Sequence, residues 1–174
     1  SMEQDAFRIS GGVITAKNET GLLYGAYAFL RDQTTPAPSC SGGEIQKPYY
    51  KLRILNHWDN LDGSVERGYA GLSIFWSLED GQPKPINREL IKEYARANAS
   101  IGINGTVLNN VNASPKMLSA IYINKVKEIA DILRPYGIRV YLSVNFASPM
   151  SVSAKGFNKG KVLKNADPLN VQVK

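Results

Sequence analysis

The stretch Lys51-Leu-Arg-Ile-Leu-Asn-His-Trp-Asp-Asn-Leu-Asp-Gly-Ser-Val-Glu-Arg-Gly-Tyr-Ala-Gly71 decides the fold. Leu52, Ile54 and Leu55 form a short apolar run that reads as a buried strand, and it leads directly into groups that make poor core residues. Asn56, His57, Trp58, Asp59, Asn60, Asp62, Glu66 and Arg67 offer hydrogen bonds, charge and one large stacking face. Gly63, Gly68 and Gly71 allow tight turns between them. A strand therefore delivers a site.

Downstream the same arrangement recurs. Leu72 to Trp76 is apolar, Gly81-Gln-Pro-Lys-Pro85 interrupts the chain, and Asn87 is placed to cap a helix whose apolar face is Leu90, Ile91, Tyr94, Ala95 and Asn98. Gly105-Thr-Val-Leu108 reads as a second strand running into Asn109-Asn110-Val111-Asn112. Ser114 then caps a helix with Pro115 at its first position, Leu118, Tyr122, Val126, Ile129 and Leu133 on one stripe, and Gly137 as its stop. Arg139 to Val144 is a third strand ending at Asn145, and Asp167-Pro168-Leu169 reads as the start of one more helix. Apolar strands without alternation, separated by amphipathic helices, predict a parallel α/β architecture. Asn56, Asn109 and Asn145 each fall at a strand's carboxyl end, where such folds gather ligand contacts into one pocket.

Upstream, Ala6 to Ile9 and Val13 to Ala16 flank Ser10-Gly11-Gly12 as a hairpin, and a helix capped by Asn18 or Thr20 follows with Leu22, Leu23, Ala26, Tyr27 and Leu30 on one face. This strand-strand-helix piece is too small to stand alone, so residues 1–33 read as the end of an α/β domain. The composition of residues 34–47, which include Thr34-Thr-Pro-Ala-Pro-Ser-Cys-Ser-Gly-Gly43, is that of a linker, and residues 48–174 form the next domain.

Composition narrows the function. The chain has 174 residues, 43% of them hydrophobic, which suffices for a core. Its net charge of +6 is dispersed, and no nucleic-acid-binding module accompanies it, so no nucleic-acid partner is expected. The lone cysteine, Cys40, rules out an intrachain disulfide, and one histidine leaves no multi-histidine zinc site; no metal and no cofactor are expected. No apolar run approaches the ~20 residues of a membrane span, and no membrane partner is expected. Ser1-Met2 reads as an expression remnant, which leaves the compartment, cytoplasmic or periplasmic, unread. Glycine loops for dinucleotides or phosphates are absent, which disfavours a nucleotide-handling α/β enzyme. Asn18-Glu-Thr20, Asn98-Ala-Ser100 and Asn104-Gly-Thr106 match the glycosylation triplet, a pattern common by chance. His57 reads as a structural hydrogen-bonding group in preference to a base.

Asn56-His-Trp-Asp-Asn-Leu-Asp-Gly63, Val65-Glu-Arg-Gly-Tyr-Ala-Gly71, Gly102-Ile-Asn-Gly-Thr-Val-Leu-Asn-Asn-Val-Asn112, Arg134-Pro-Tyr-Gly-Ile138, Leu142-Ser-Val-Asn145 and Ala166-Asp-Pro-Leu169 resemble α-glucuronidases of glycoside hydrolase family 67. The hairpin with Gly21-Leu-Leu-Tyr-Gly25 resembles the end of that family's N-terminal domain. The resemblance implies the first three βα units of a TIM (β/α)8 barrel. It further implies removal of 4-O-methyl-glucuronic acid from xylan-derived oligosaccharides with inversion. Trp58 would wall the uronic acid pocket and Val111 would pack near the 4-O-methyl group. Asp59, Glu66, Arg67, Asn109, Asn110 and Asn145 are the further candidate substrate contacts, Glu66 with Arg67 alternatively being an ion pair that shapes the first loop. Inversion requires an acid and a base roughly 6.5–9.5 Å apart. The resemblance places that pair after later strands, beyond Lys174, so no catalytic residue is assigned and the chain alone is expected to be inactive. A non-catalytic carbohydrate-binding module is the alternative. Three barrel strands cannot close, so the chain is expected to form a homo-oligomer or to have its sheet edges covered by residues 1–33 or by its C-terminal tail.

Overall fold

Phe7 to Ala16 folds as the hairpin that its glycine pair predicts. The computed structural model describes residues 2–35 and 42–144; Cys40, Asn145 and the Asp167-Pro168-Leu169 stretch lie outside the described residues. Strands β1 (Phe7–Ser10) and β2 (Val13–Ala16) pair antiparallel with Ser10 opposite Val13. Gly11 and Gly12 both hold positive φ, 56° and 77°, as a two-residue primed turn demands. Helix α1 (Glu19–Asp32) follows, with the Asn18 carboxamide oxygen accepting from the Gly21 N–H at 2.8 Å, which makes Asn18 the cap. Strand β3 (Ile45–Gln46), inside the stretch expected to be linker, joins the other edge of β1.

The buried face of α1 differs from the expected one. Leu22 and Leu30 are exposed, whereas Gly21, Tyr24, Gly25 and Ala28 are buried. The cause is close approach. A Cβ on Gly25 would stand 2.5 Å from Ile14 Cγ2, and one on Gly21 would stand 2.6 Å from the Ala6 carbonyl oxygen. Small residues let the helix sit on the hairpin, and Phe7, Ile9, Tyr24 and Ala28 form the core between them. Apolar spacing alone cannot distinguish a leucine stripe from a glycine seam.

Strands β4 (Ile54–Asn56), β7 (Gly105–Val107) and β8 (Arg139–Tyr141) form a sheet in the order β4-β7-β8. Arg53 O accepts from Asn104 N and Val107 O from His57 N, while Asn104 O accepts from Arg139 N and Tyr141 O from Leu108 N; both ladders advance in the same direction along each strand. The sheet is parallel and the α/β expectation holds. A small hairpin of β5 (Leu78–Glu79) and β6 (Gln82–Pro83) and then helix α2 (Arg88–Ser100) connect β4 to β7. Helix α3 (Ala120–Leu133) connects β7 to β8. Ile91, Ala95, Asn98 and Ala99 are buried on α2, with Leu90 exposed.

Three further expectations are corrected. Leu52, Ile54 and Leu55 are exposed rather than buried, at 60%, 36% and 36%, because β4 is an outer strand with a neighbour on one side only among the described residues. Ser114 and Pro115 open a 3₁₀ turn, Pro115–Leu118, and not the long helix. Ser119 is extended (φ −71°, ψ 154°), so the helix begins again at Ala120. Residues 1–33 build their own sheet with β3 and do not extend the parallel one. Gly137 does end the third helical segment, at φ 71°, after the 3₁₀ turn Arg134–Tyr136.

The described residues divide into two compact units, 2–35, 42–55, 88–106 and 130–140 in one, and 56–87, 107–129 and 141–144 in the other. In the first, Arg53 is a hub. Its guanidinium pairs with Asp5 at 3.1 Å, donates to the Tyr50 carbonyl at 2.7 Å and to the Gly102 carbonyl, and reaches Tyr24 Oη at 3.3 Å. Burial pushes the Tyr24 phenol above its ordinary pKa, with the Arg53 hydrogen bond pulling it back. All three glycosylation-like asparagines are structurally engaged: Asn18 caps α1, Asn98 donates to the Tyr94 carbonyl, and Asn104 receives the Arg53 N–H.

Candidate functional site

The loop leaving β4 is closed by its own polar residues. Glu66 N donates to the Trp58 carbonyl at 2.7 Å, and Asn60 Nδ2 donates to Ser64 Oγ at 3.0 Å and to the Glu66 carbonyl at 2.8 Å. The Asp62 carboxylate receives both the N–H and the hydroxyl of Ser64, which hold its pKa below the usual carboxylate value. Gly63, at φ 93°, passes 3.1 Å from the Trp76 carbonyl measured from where a Cβ would lie. Glu66 itself occupies the left-handed region at φ 57°, a conformation that costs energy for a residue with a Cβ and persists here under the loop's hydrogen bonds.

Asp59 lies under this loop and is 3% exposed. Its carboxylate accepts from the Ser73 hydroxyl, whose oxygen in turn receives the Phe75 and Trp76 N–H groups, each at 3.0 Å. The Asp59 carbonyl accepts from Asn110 N at 2.8 Å. His57 Nδ1 stands 3.8 Å from the Asp59 carboxylate, and its ring meets Phe75 edge-on with centroids 5.0 Å apart. Burial lowers the His57 pKa below its ordinary value, while Asp59 pulls it upward. Burial thus favours the neutral form of the imidazole.

The carboxyl end of β7 is equally committed. Asn109 is 1% exposed; its Nδ2 donates to the Ser143 carbonyl at 2.8 Å, and its Oδ1 accepts from Ser143 N at 3.0 Å. The side chain thus continues the β7-β8 ladder beyond the strand. Asn110 Oδ1 accepts from Asn112 N at 2.9 Å and folds the following turn. Trp76, 2% exposed, donates from Nε1 to the Leu108 carbonyl at 2.7 Å and meets Tyr122 edge-on. Sequence reading missed Trp76 and Ser73 as supports. The available signal was a tryptophan closing an apolar run, since a buried indole N–H needs an acceptor.

Trp58 and Tyr69 are among the groups that the loop after β4 leaves open to solvent. A cavity of about 510 Å³ is lined by Asn56, His57, Trp58, Glu66 and Tyr69 among others. Trp58 is 40% exposed and Tyr69 77%. Of the candidates, Trp58, Asp59 and Glu66 come together at this cavity. Arg67, Asn109, Asn110 and Val111 do not line it, although Val111 is 40% exposed. Asn145 lies outside the described residues. Arg67 Nε is 3.7 Å from Glu66 Oε1 with the arginine side chain 87% exposed, a solvated pair of small energetic value. Among the described residues no group of three or more His, Cys, Asp or Glu could hold a metal ion.

The arrangement offers an apolar ring and a carboxylate around a pocket whose floor is fixed by saturated hydrogen bonds. It suits binding of a polar ligand with one apolar face, such as a sugar. Residues 37–174 match the family model described as glycosyl hydrolase family 67 middle domain. The chain is 41% identical, over 99% of its length, to "Probable alpha-glucuronidase A" of Aspergillus clavatus. It is 38% identical, over 97%, to "Alpha-glucuronidase A" of Aspergillus tubingensis. Over 80% of its length it is 44% identical to "Probable alpha-glucuronidase A" of Neosartorya fischeri. The chain spans 20%, 18% and 16% of those three relatives respectively. The matched residues include the whole loop after β4 and the strand ends at Asn56 and Asn109, and the chain belongs to glycosyl hydrolase family 67.

Proposed function

We propose that this chain is part of an inverting α-glucuronidase that removes (4-O-methyl-)glucuronic acid from xylan-derived oligosaccharides, and that it supplies the wall and floor of the uronic acid pocket. The observation that carries the reading is the contrast at the end of β4. Trp58 keeps a solvent-facing indole at the cavity, while Asp59 and Asn60 on its carboxyl side are spent on internal hydrogen bonds. The loop's internal hydrogen bonds hold the Trp58 ring where it faces the cavity, beside the exposed Tyr69. C–H groups on one face of a sugar stack on an indole while hydroxyls reach nearby polar atoms. Trp58, Glu66, Arg67 and Val111 are assigned to substrate. Asp59, Asn109 and Asn110 are assigned to holding the loops that carry them.

On this reading β4, β7 and β8 with α2 and α3 are the first βα units of a (β/α)8 barrel spanning residues 48–174. Residues 1–33 close an N-terminal α/β domain, with 34–47 between. The acid and base belong to the remainder of the enzyme, so the chain by itself is inactive. General acid and base groups contribute roughly 10²–10⁴-fold each. The test is Trp58→Ala in the full-length enzyme, where kcat/KM on an aldouronic acid is expected to fall about tenfold or more. Unchanged kinetics with a lowered melting temperature would place Trp58 in the core instead.

A further inference from the structure

Within the unit formed by residues 2–35, 42–55, 88–106 and 130–140 lies a second cavity, about 790 Å³, that the proposed active site does not use. Its charges are unbalanced once internal pairs are removed. Asp5 is neutralised by Arg53 at 3.1 Å, Glu3 by Lys47 at 2.7 Å, and Arg134 by Asp131 at 2.8 Å. Lys17, Lys51 and Arg139 remain on its walls, each exposed and none with an acidic partner within salt-bridge distance among the described residues. They come from three separate places in the chain: the residue after β2, the approach to β4, and the first residue of β8. Lys51 adds to Lys47 in holding the Glu3 carboxyl below its ordinary pKa.

We propose that this cavity is a binding site for a carboxylate-bearing oligosaccharide, separate from the pocket at Trp58. Three cations spread around so large an opening do not form the compact nest that encloses a single small anion, and they suit an extended ligand carrying charge along its length. Tyr50, also on the wall and 68% exposed, supplies an apolar face for a sugar ring, and the polar side chains of Gln4 and Asn18 stand beside it. The choice of ligand class rests on the glucuronidase reading; the cavity and its cations do not.

The test is calorimetric titration of this chain carrying Trp58→Ala, which weakens the first pocket, with a glucuronic-acid-bearing xylo-oligosaccharide, a neutral xylo-oligosaccharide and inorganic phosphate. The acidic oligosaccharide is expected to bind more tightly than both others and to weaken as salt rises from about 0.05 to 0.5 M. The variant Lys17→Ala/Lys51→Ala/Arg139→Ala should lower that affinity about tenfold or more, with Tyr50→Ala lowering it less. All four side chains are solvent-facing, and an unchanged melting temperature confirms that the variants fold. No binding of the acidic oligosaccharide, equal binding of the neutral one, preference for phosphate, or indifference to the triple substitution would each overturn the proposal. Failure of the glucuronidase reading is seen separately, as unaltered kinetics of full-length Trp58→Ala.

Discussion

Replacing Asn109 by alanine separates a scaffold role from a substrate contact. The carboxamide makes two hydrogen bonds to the Ser143 backbone, at 2.8 and 3.0 Å, and a third to the Asn110 carbonyl at 3.1 Å, and it is 1% exposed. A hydrogen bond contributes about 1 kcal/mol net. Three lost bonds would cost about 3 kcal/mol, and Ser143 is only half-buried, so water recovers part of this. A loss of about 2–3 kcal/mol is expected. For a chain of this size each kcal/mol lowers Tm by about 2–4 °C, so a drop of about 4–12 °C follows. Thermal unfolding followed by circular dichroism measures it, and amide hydrogen exchange at Ser143 should accelerate in the same variant. A variant that melts within about 1 °C of the parent and exchanges Ser143 at the parent rate would refute the scaffold assignment.

Gly25→Ala is expected to destabilise by about 1–3 kcal/mol, because the new methyl would meet Ile14 Cγ2 at 2.5 Å and the Phe7 ring at 3.3 Å; a urea midpoint equal to the parent's would contradict the close packing of α1. His57 has a folded pKa below its unfolded value, so the unfolded chain binds the extra proton first. Stability is therefore complete above about pH 6.5 and declines as pH falls through that value, and His57→Gln should remove this part of the decline in urea titrations at pH 7.5 and 5.5. Leu52, Ile54 and Leu55 leave an apolar outer strand in water, so the chain is expected to self-associate; sedimentation showing a monomer across a wide concentration range would count against it.

The sequence alone was enough for the parallel α/β order, because apolar strands, capped helices and Gly137 are local signals that act within a few residues. It was also enough for the family, since Asn56 to Gly71 and Gly102 to Asn112 carry motifs specific to it. Tertiary structure decided which polar residues were free. In the sequence Asn109, Asp59 and Glu66 look alike as candidates. Folding brings Ser143 to Asn109 across 34 positions and Ser73 to Asp59 across 14, and so buries two of the three as internal supports. The seam of Gly21 and Gly25 is of the same kind: leucine spacing suggested one helix face, and the nearness of Ile14 and Ala6 selected another. A hydrogen bond or steric contact between distant residues leaves no periodic mark in the chain, so its partner is visible only once the backbone has brought the two together.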